Sequence, residues 1–198
     1  MLKMEENRHP ITLGAWGRPC VYASLFAMAT AHILGVPEKE AAVKLAEMPY
    51  ANGRQTVESL AGITLIDDSY NSSPEAVEEA ILLLSTLKTD GNRHIVLGDM
   101  LELGIHSASL HEHIGECAAK EASFLYAFGE YSDAVAKGAK KGGMPPSAIV
   151  CFPDAAPVPS ALIPRLAPGD AVLIKASHSL HGDRIAAAIR KSREFLPK

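Results

Sequence analysis

Apolar residues recur at two different spacings along this chain, and the change between them falls near residue 50. Residues 21–34 are dense in Ala, Leu, Met and Phe and close on Gly35. That pattern predicts a buried helix with a glycine just past its end. Pro37-Glu38-Lys39-Glu40 opens a second helix with acids in its first turn, running to about Met48. Pro49-Tyr50-Ala51-Asn52-Gly53-Arg54 then collects chain breakers and marks the sharpest boundary in the chain. Residues 1–52 amount to two helices preceded by a short polar piece. That is too little to fold alone, because chains below ~40 to 60 residues bury too small a fraction of their surface.

Beyond the boundary, short β-branched runs alternate with helical periods. The pattern predicts strands over 56–60, 63–67, 94–97, 124–128, 149–152 and 171–175, and helices over 74–87, 107–121, 131–141, 157–166 and 182–194. Such alternation builds an α/β fold with a mostly parallel six-stranded sheet and helices on both faces. Only Ala61 and Gly62 separate the first two strands, so these form an antiparallel edge hairpin.

Three strand ends turn polar. Asp67-Asp68-Ser69-Tyr70-Asn71-Ser72-Ser73 follows an apolar strand, and ligands of open α/β sheets bind outside such carboxyl ends. Two carboxylates, a phenol and an amide there suit nucleotide or metal handling. They suit equally an ordinary strand-to-helix turn, with Ser72 or Ser73 as cap and Pro74 at the first helical position. Gly98 to Gly104 frames Asp99 and Glu102, as a site loop beside Asp68 or as a connection whose glycines supply positive φ. At the third end Lys175, His178 and His181 emerge from a buried strand, for anion binding or as a solvated lysine. His106, His111, His113 and Cys117 also cluster. On a helix His113 and Cys117 share a face while His111 diverges, and no recognised zinc spacing is present. The histidines therefore read as solvent-facing, and no metal ligand is assigned.

Composition narrows the partners. A net charge of −4 without a basic stripe argues against nucleic acid. Three widely spaced cysteines, a charged amino terminus and no apolar run near the roughly 18 to 20 residues of a membrane span predict a cytoplasmic protein. No glycine-rich loop ending in Gly-Lys-Ser or Gly-Lys-Thr occurs, so ATP chemistry would need a phosphate cradle from elsewhere.

Asp67-Asp68-Ser69-Tyr70-Asn71-x-x-Pro74, Leu97 to Gly104, Leu110-His111 and Leu173-Ile174-Lys175-Ala176-Ser177 together resemble the Mur ligases of peptidoglycan synthesis. The resemblance is nearest to the branch that adds D-Ala-D-Ala to UDP-MurNAc-tripeptide, and it covers nearly the whole chain. It implies a Rossmann-like carboxyl-terminal domain over 53–198 and, over 1–52, the tail of a central ATPase domain. The full-length ligase would use ATP and Mg2+, with UDP-MurNAc-tripeptide and D-Ala-D-Ala as substrates. This stretch alone, without its phosphate cradle, is expected to be inactive and to hold no cofactor tightly.

By matching position, the resemblance implies nucleotide contacts from Arg54, Asp68, Tyr70 and Asn71. A guanidinium plane stacks on adenine or pairs with phosphate, and a carboxylate accepts from both ribose hydroxyls. Asp99, Lys175, Ser177 and His178 would border the dipeptide, while Asp67 is left without a role. Where the family carries Gly-x-His-Asn-x-x-Asn, this chain reads Gly17-Arg18-Pro19-Cys20-Val21-Tyr22-Ala23, and the amides that would read adenine are missing. Ser73, Ala176 and His178 also depart from the pattern. A free-standing binding or regulatory module derived from such a ligase is the alternative, and an unrelated Rossmann-type binder is a weaker one. The apolar stretch 21–48 predicts self-association.

Overall fold

The computed structural model describes residues 2–4, 7–9, 11–13, 17–47 and 53–193. The breaker run 49–52 and the predicted helix ends at Met48 and Glu194 lie outside the described residues. The chain forms two compact units, Met1–Ala51 and Asn52–Lys198.

In the first unit, β1 (Leu2–Met4) and β2 (Asn7–His9) pair antiparallel, a two-stranded ribbon where only a polar piece was expected. Helix α1 (Arg18–Ile33) begins three residues earlier than its apolar pattern, with Pro19 in the first turn, where a missing N–H costs nothing. Gly35, at φ +72°, follows its end. Helix α2 (Glu38–Ala46) comes next. The expected burial of α1 is not found. Met28 is its buried side chain, while Val21, Tyr22, Phe26, Ile33 and Leu34 are exposed. Periodicity records which residues are apolar, but burial also needs a partner surface.

The second unit holds β3 (Thr56–Leu60), β4 (Ile63–Asp68), β5 (Arg93–Gly98), β6 (Phe124–Phe128), β7 (Ile149–Phe152) and β8 (Ala171–Lys175). Their order is β3-β4-β8-β5-β6-β7. Only β3 with β4 is antiparallel within this sheet, closed by Ala61 and Gly62 at φ +44° and +83°. Positive φ at both residues is what a two-residue hairpin turn of the favoured hand requires. The helices are α3 (Pro74–Thr86), α4 (Ser107–Glu121), α5 (Ser132–Lys141), α6 (Val158–Leu162) and α7 (Gly182–Arg193). The helix expected over 157–166 finishes as a 3-10 turn, Ile163–Arg165, because Pro164 disfavours a continuing α pattern.

Strand residues alternate between two cores. Ile66, Ile95, Leu97, Leu125 and Leu173 pack with α3, α4 and α5, whereas Leu65, Val96, Tyr126, Val172 and Ile174 pack with α6 and α7. Successive side chains on a strand point to opposite faces, and both faces are covered, so the strands read as continuous apolar runs. Gly115 and Gly138 let α4 and α5 approach until a Cβ on either would overlap a main-chain carbonyl of the other. In the sheet order β4, β8 and β5 are neighbours. The three polar strand ends therefore meet along one edge. Among the described residues no helix is long and apolar enough to cross a membrane.

Candidate functional site

The pleat of β4 sends its two terminal acids to opposite faces. Asp68 and Lys175 are direct partners in the β4–β8 register, and their Oδ2 and Nζ lie 2.8 Å apart. Asp68 Oδ1 accepts from Gln55 N at 3.1 Å, and Lys175 Nζ also donates to the carbonyl of Asn71. Both charged side chains are buried. Burial pushes the Asp68 carboxyl above its ordinary value, outweighing the pull of the Lys175 ammonium. On the other face Asp67 Oδ1 accepts from Ser69 Oγ at 2.6 Å, and Oδ2 accepts from Arg190 Nη2 of α7 at 2.7 Å. Arg190 also engages both oxygens of Glu58 on β3. Glu58, and after it Asp67, hold that guanidinium above its ordinary value against the cost of burial.

A cleft of about 700 Å3 opens beside this second acid, with Glu58, Asp67, Tyr70, His178, Asp183 and Arg190 in its wall. Tyr70 is 44% exposed, enough to offer a ring face to a ligand. The Arg54 guanidinium lies 4.3 Å from the centroid of that ring, and the His178 ring packs against it at 5.2 Å. Tyr70 N donates to Gly53 O, which fixes the strand-to-helix turn against the segment carrying Arg54.

The Gly98–Gly104 loop has a different character. Asp99 accepts from Glu130 N at 2.7 Å and Tyr131 N at 3.0 Å, bracing the entry to α5. Ser177 Oγ accepts from Leu101 N, and Ser177 N donates to Asp99 O. His111 is buried rather than solvent-facing, correcting the expectation from its helical position. Its Nε2 accepts from Met100 N at 2.9 Å while Nδ1 donates to Ser107 O, so the ring clamps the loop to α4. Ser73 Oγ caps α3 by accepting from Ala76 N, so the capping role expected there holds.

Of the eight residues expected to bind ligand, the structure brings Arg54, Tyr70 and His178 together around the cleft. It joins Lys175 to the Asp68 carboxylate and to the main-chain carbonyl of Asn71. It leaves Asp99 and Ser177 buried, with their polar atoms bonded to backbone amides. Sequence reasoning missed Glu58, Asp183 and Arg190. The last two stand seven residues apart on α7, an acid and a base on one helical face, and that spacing is the signal that could have found them.

Comparison with known proteins follows this geometry. Residues 53–178 match the Mur ligase, glutamate ligase domain. The chain belongs to the Mur ligase family. The UDP-N-acetylmuramoyl-tripeptide--D-alanyl-D-alanine ligase of Mycobacterium leprae is 33% identical over 187 residues, covering 86% of this chain and 36% of that protein. The Bacillus subtilis protein of the same name is 26% identical over 178 residues, covering 89% of this chain and 39% of the relative. MurF ligase from Thermotoga maritima, solved in complex with ADP, superposes with a TM-score of 0.75 at 27% identity, over 91% of this chain and 40% of that one. MurF from Acinetobacter baumannii superposes at 0.82 with 25% identity over the same shares. The chain thus spans well under half the length of these Mur ligases. The Mur ligase match ends at His178, before Asp183 and Arg190.

Proposed function

We propose that this chain is the carboxyl-terminal part of a cytoplasmic ATP-dependent ligase that adds D-Ala-D-Ala to UDP-MurNAc-tripeptide. On this reading the cleft beside Tyr70 takes the adenosine of the nucleotide. The observation that carries the reading is the apposition of Arg54, Tyr70 and His178 at the carboxyl edge of the sheet. A guanidinium and an aromatic ring offer flat faces to a purine. Asp68, expected at the ribose, is turned to the other face of β4 and bonded to Gln55 and Lys175, so it braces the strand end rather than lining that cleft. Glu58, Asp67 and Asp183 set three acids against Arg190 in the cleft wall, a poor cradle for a triphosphate. That supports placing the phosphates and their Mg2+ on residues outside these 198.

Asp99, Lys175, Ser177 and His178 then lie at the dipeptide edge. His178 is the exposed one among them, and the other three hold the edge in shape. The Met1–Ala51 unit would be the tail of the ATPase domain. Without the rest of that domain the chain alone carries out no ligation. Pro19, Cys20 and Ala23, in place of adenine-reading amides, favour a second reading as a free-standing binding module. A coding sequence with no phosphate loop in frame upstream would support it.

Calorimetric titration of ADP into the wild-type chain, Arg54→Ala and Tyr70→Ala tests the adenosine site. Weak binding by wild type, reduced about tenfold in each variant, is the expected result for a lost stacking contact worth roughly 1–3 kcal/mol. Binding indifferent to both substitutions would move the nucleotide elsewhere.

A further inference from the structure

Helices α3 and α4 share a core through Ile81, Leu84, Ile114 and Ala118. Between their outer surfaces lies a groove of about 330 Å3, apart from the cleft beside Tyr70. Glu78 of α3 and His113 and Cys117 of α4 converge in it. His113 Nε2 lies 2.8 Å from Glu78 Oε1 and 3.7 Å from Cys117 Sγ, and the three ligand atoms all fall within 4.8 Å of one another. A tetrahedral zinc ion, with Zn–N and Zn–O near 2.0–2.2 Å and Zn–S near 2.3 Å, needs its ligand atoms about 3.3–3.6 Å apart. The observed separations bracket that span, and Glu78 and His113 are exposed, so small rotamer changes complete the fit.

We propose that Glu78, His113 and Cys117 form a zinc-class divalent cation site that clamps α3 to α4. Imidazole with a thiolate selects zinc or cobalt over magnesium or calcium. Carboxylate and thiolate together neutralise the ion's charge, and the fourth position faces solvent for a water. Lys120 also borders the groove, and Glu121 beside it offsets that charge. On binding, the Cys117 S–H gives its proton to solvent and the thiolate bonds the metal. His113 coordinates through the Nε2 lone pair with its proton on Nδ1. The spacing of His113 and Cys117 alone resembles no zinc motif because the third ligand comes from a different helix, 35 residues away.

Cobalt(II) added to the metal-free, untagged full chain is the probe. One ion per chain, with a thiolate-to-cobalt charge-transfer band and tetrahedral ligand-field bands displaced by zinc, is the expected result. Cys117→Ser should abolish the charge-transfer band. His113→Asn and Glu78→Gln should each weaken binding by at least the ~10–100-fold that even supporting partners of a metal ligand are worth. All three substitutions leave the buried core intact, and a Cys20→Ser/Cys151→Ser double variant should keep the full spectrum. A band that survives Cys117→Ser, a band lost in the double variant, or no uptake at millimolar cobalt would overturn the site.

Discussion

The two ends of the six-stranded sheet carry nearly the same chemistry to opposite purposes. At the amino end Asp170, just before β8, accepts from Ala167 N at 2.8 Å, Asn92 N at 2.7 Å and His94 Nε2 at 3.2 Å. His94 is buried and stacks beside Phe124 and Tyr126. Burial works to raise the Asp170 carboxyl, but the two amides and His94 hold it below its ordinary value. Burial likewise lowers His94, against the pull of Asp170. The pair is thus a neutral imidazole donating to a carboxylate, sealed inside the fold. At the carboxyl end buried acids stand beside an exposed tyrosine, an exposed histidine and a cleft. A buried acid therefore does not mark a site. What marks one is a buried polar network that ends in groups still free to meet a ligand.

The strongest test of this contrast is Asp170→Ala. It strips two amides and a buried imidazole of their acceptor and should cost ~3–5 kcal/mol of stability, read by urea unfolding. The folded fraction should still bind ADP like wild type. A loss below about 1 kcal/mol would show that water replaces the carboxylate there. Lys175→Met comes next, at roughly 2–4 kcal/mol, because it leaves the Asp68 carboxylate buried beside the Gln55 amide. That deficit should shrink as pH falls, since burial already favours protonated Asp68 and the variant can neutralise it. A deficit independent of pH would mean the lysine acts by packing alone.

The His94 pair makes a smaller, signed prediction. The histidine is neutral in the folded state, whereas the unfolded chain takes up a proton below about pH 6.5. Its contribution is therefore present above that pH and lost as pH falls through it, by about 1 kcal/mol between pH 7.5 and 5.5. Unfolding midpoints at the two values measure it, and His94→Gln should flatten the slope. A slope that persists in the variant assigns the titration to another group. Smallest in stability is Tyr70→Ala, expected within about 0.5 kcal/mol of wild type because the ring is already half in water. Its effect should appear in ADP affinity instead. The reverse outcome, a destabilised chain with unchanged affinity, would put Tyr70 with the amino-end residues as a structural group.

Local chemistry made most of the architecture legible. Ala61-Gly62 between two apolar runs encodes the edge hairpin, and Ser73-Pro74 encodes the start of α3, because turn and cap geometry depend on adjacent residues. The apolar runs 94–97 and 171–175 are buried on both faces, so they read as parallel strands without knowledge of their neighbours. Failures came where a residue's partner is distant. The α1 pattern promised burial that its own unit does not supply, and His111 looked solvated until the Met100 amide was placed against it.

By itself, the sequence determined the alternating strands and helices, the polar character of three strand ends and the Mur ligase kinship. Those properties are written in contiguous residues. Only the tertiary structure decided that Asp68 meets Lys175, that Asp67 meets Arg190, and that Glu78 meets His113 and Cys117. Each of those encounters joins residues 35 or more positions apart. They depend on strand order and helix packing, which place a side chain against its partner through many weak apolar contacts rather than through any local code.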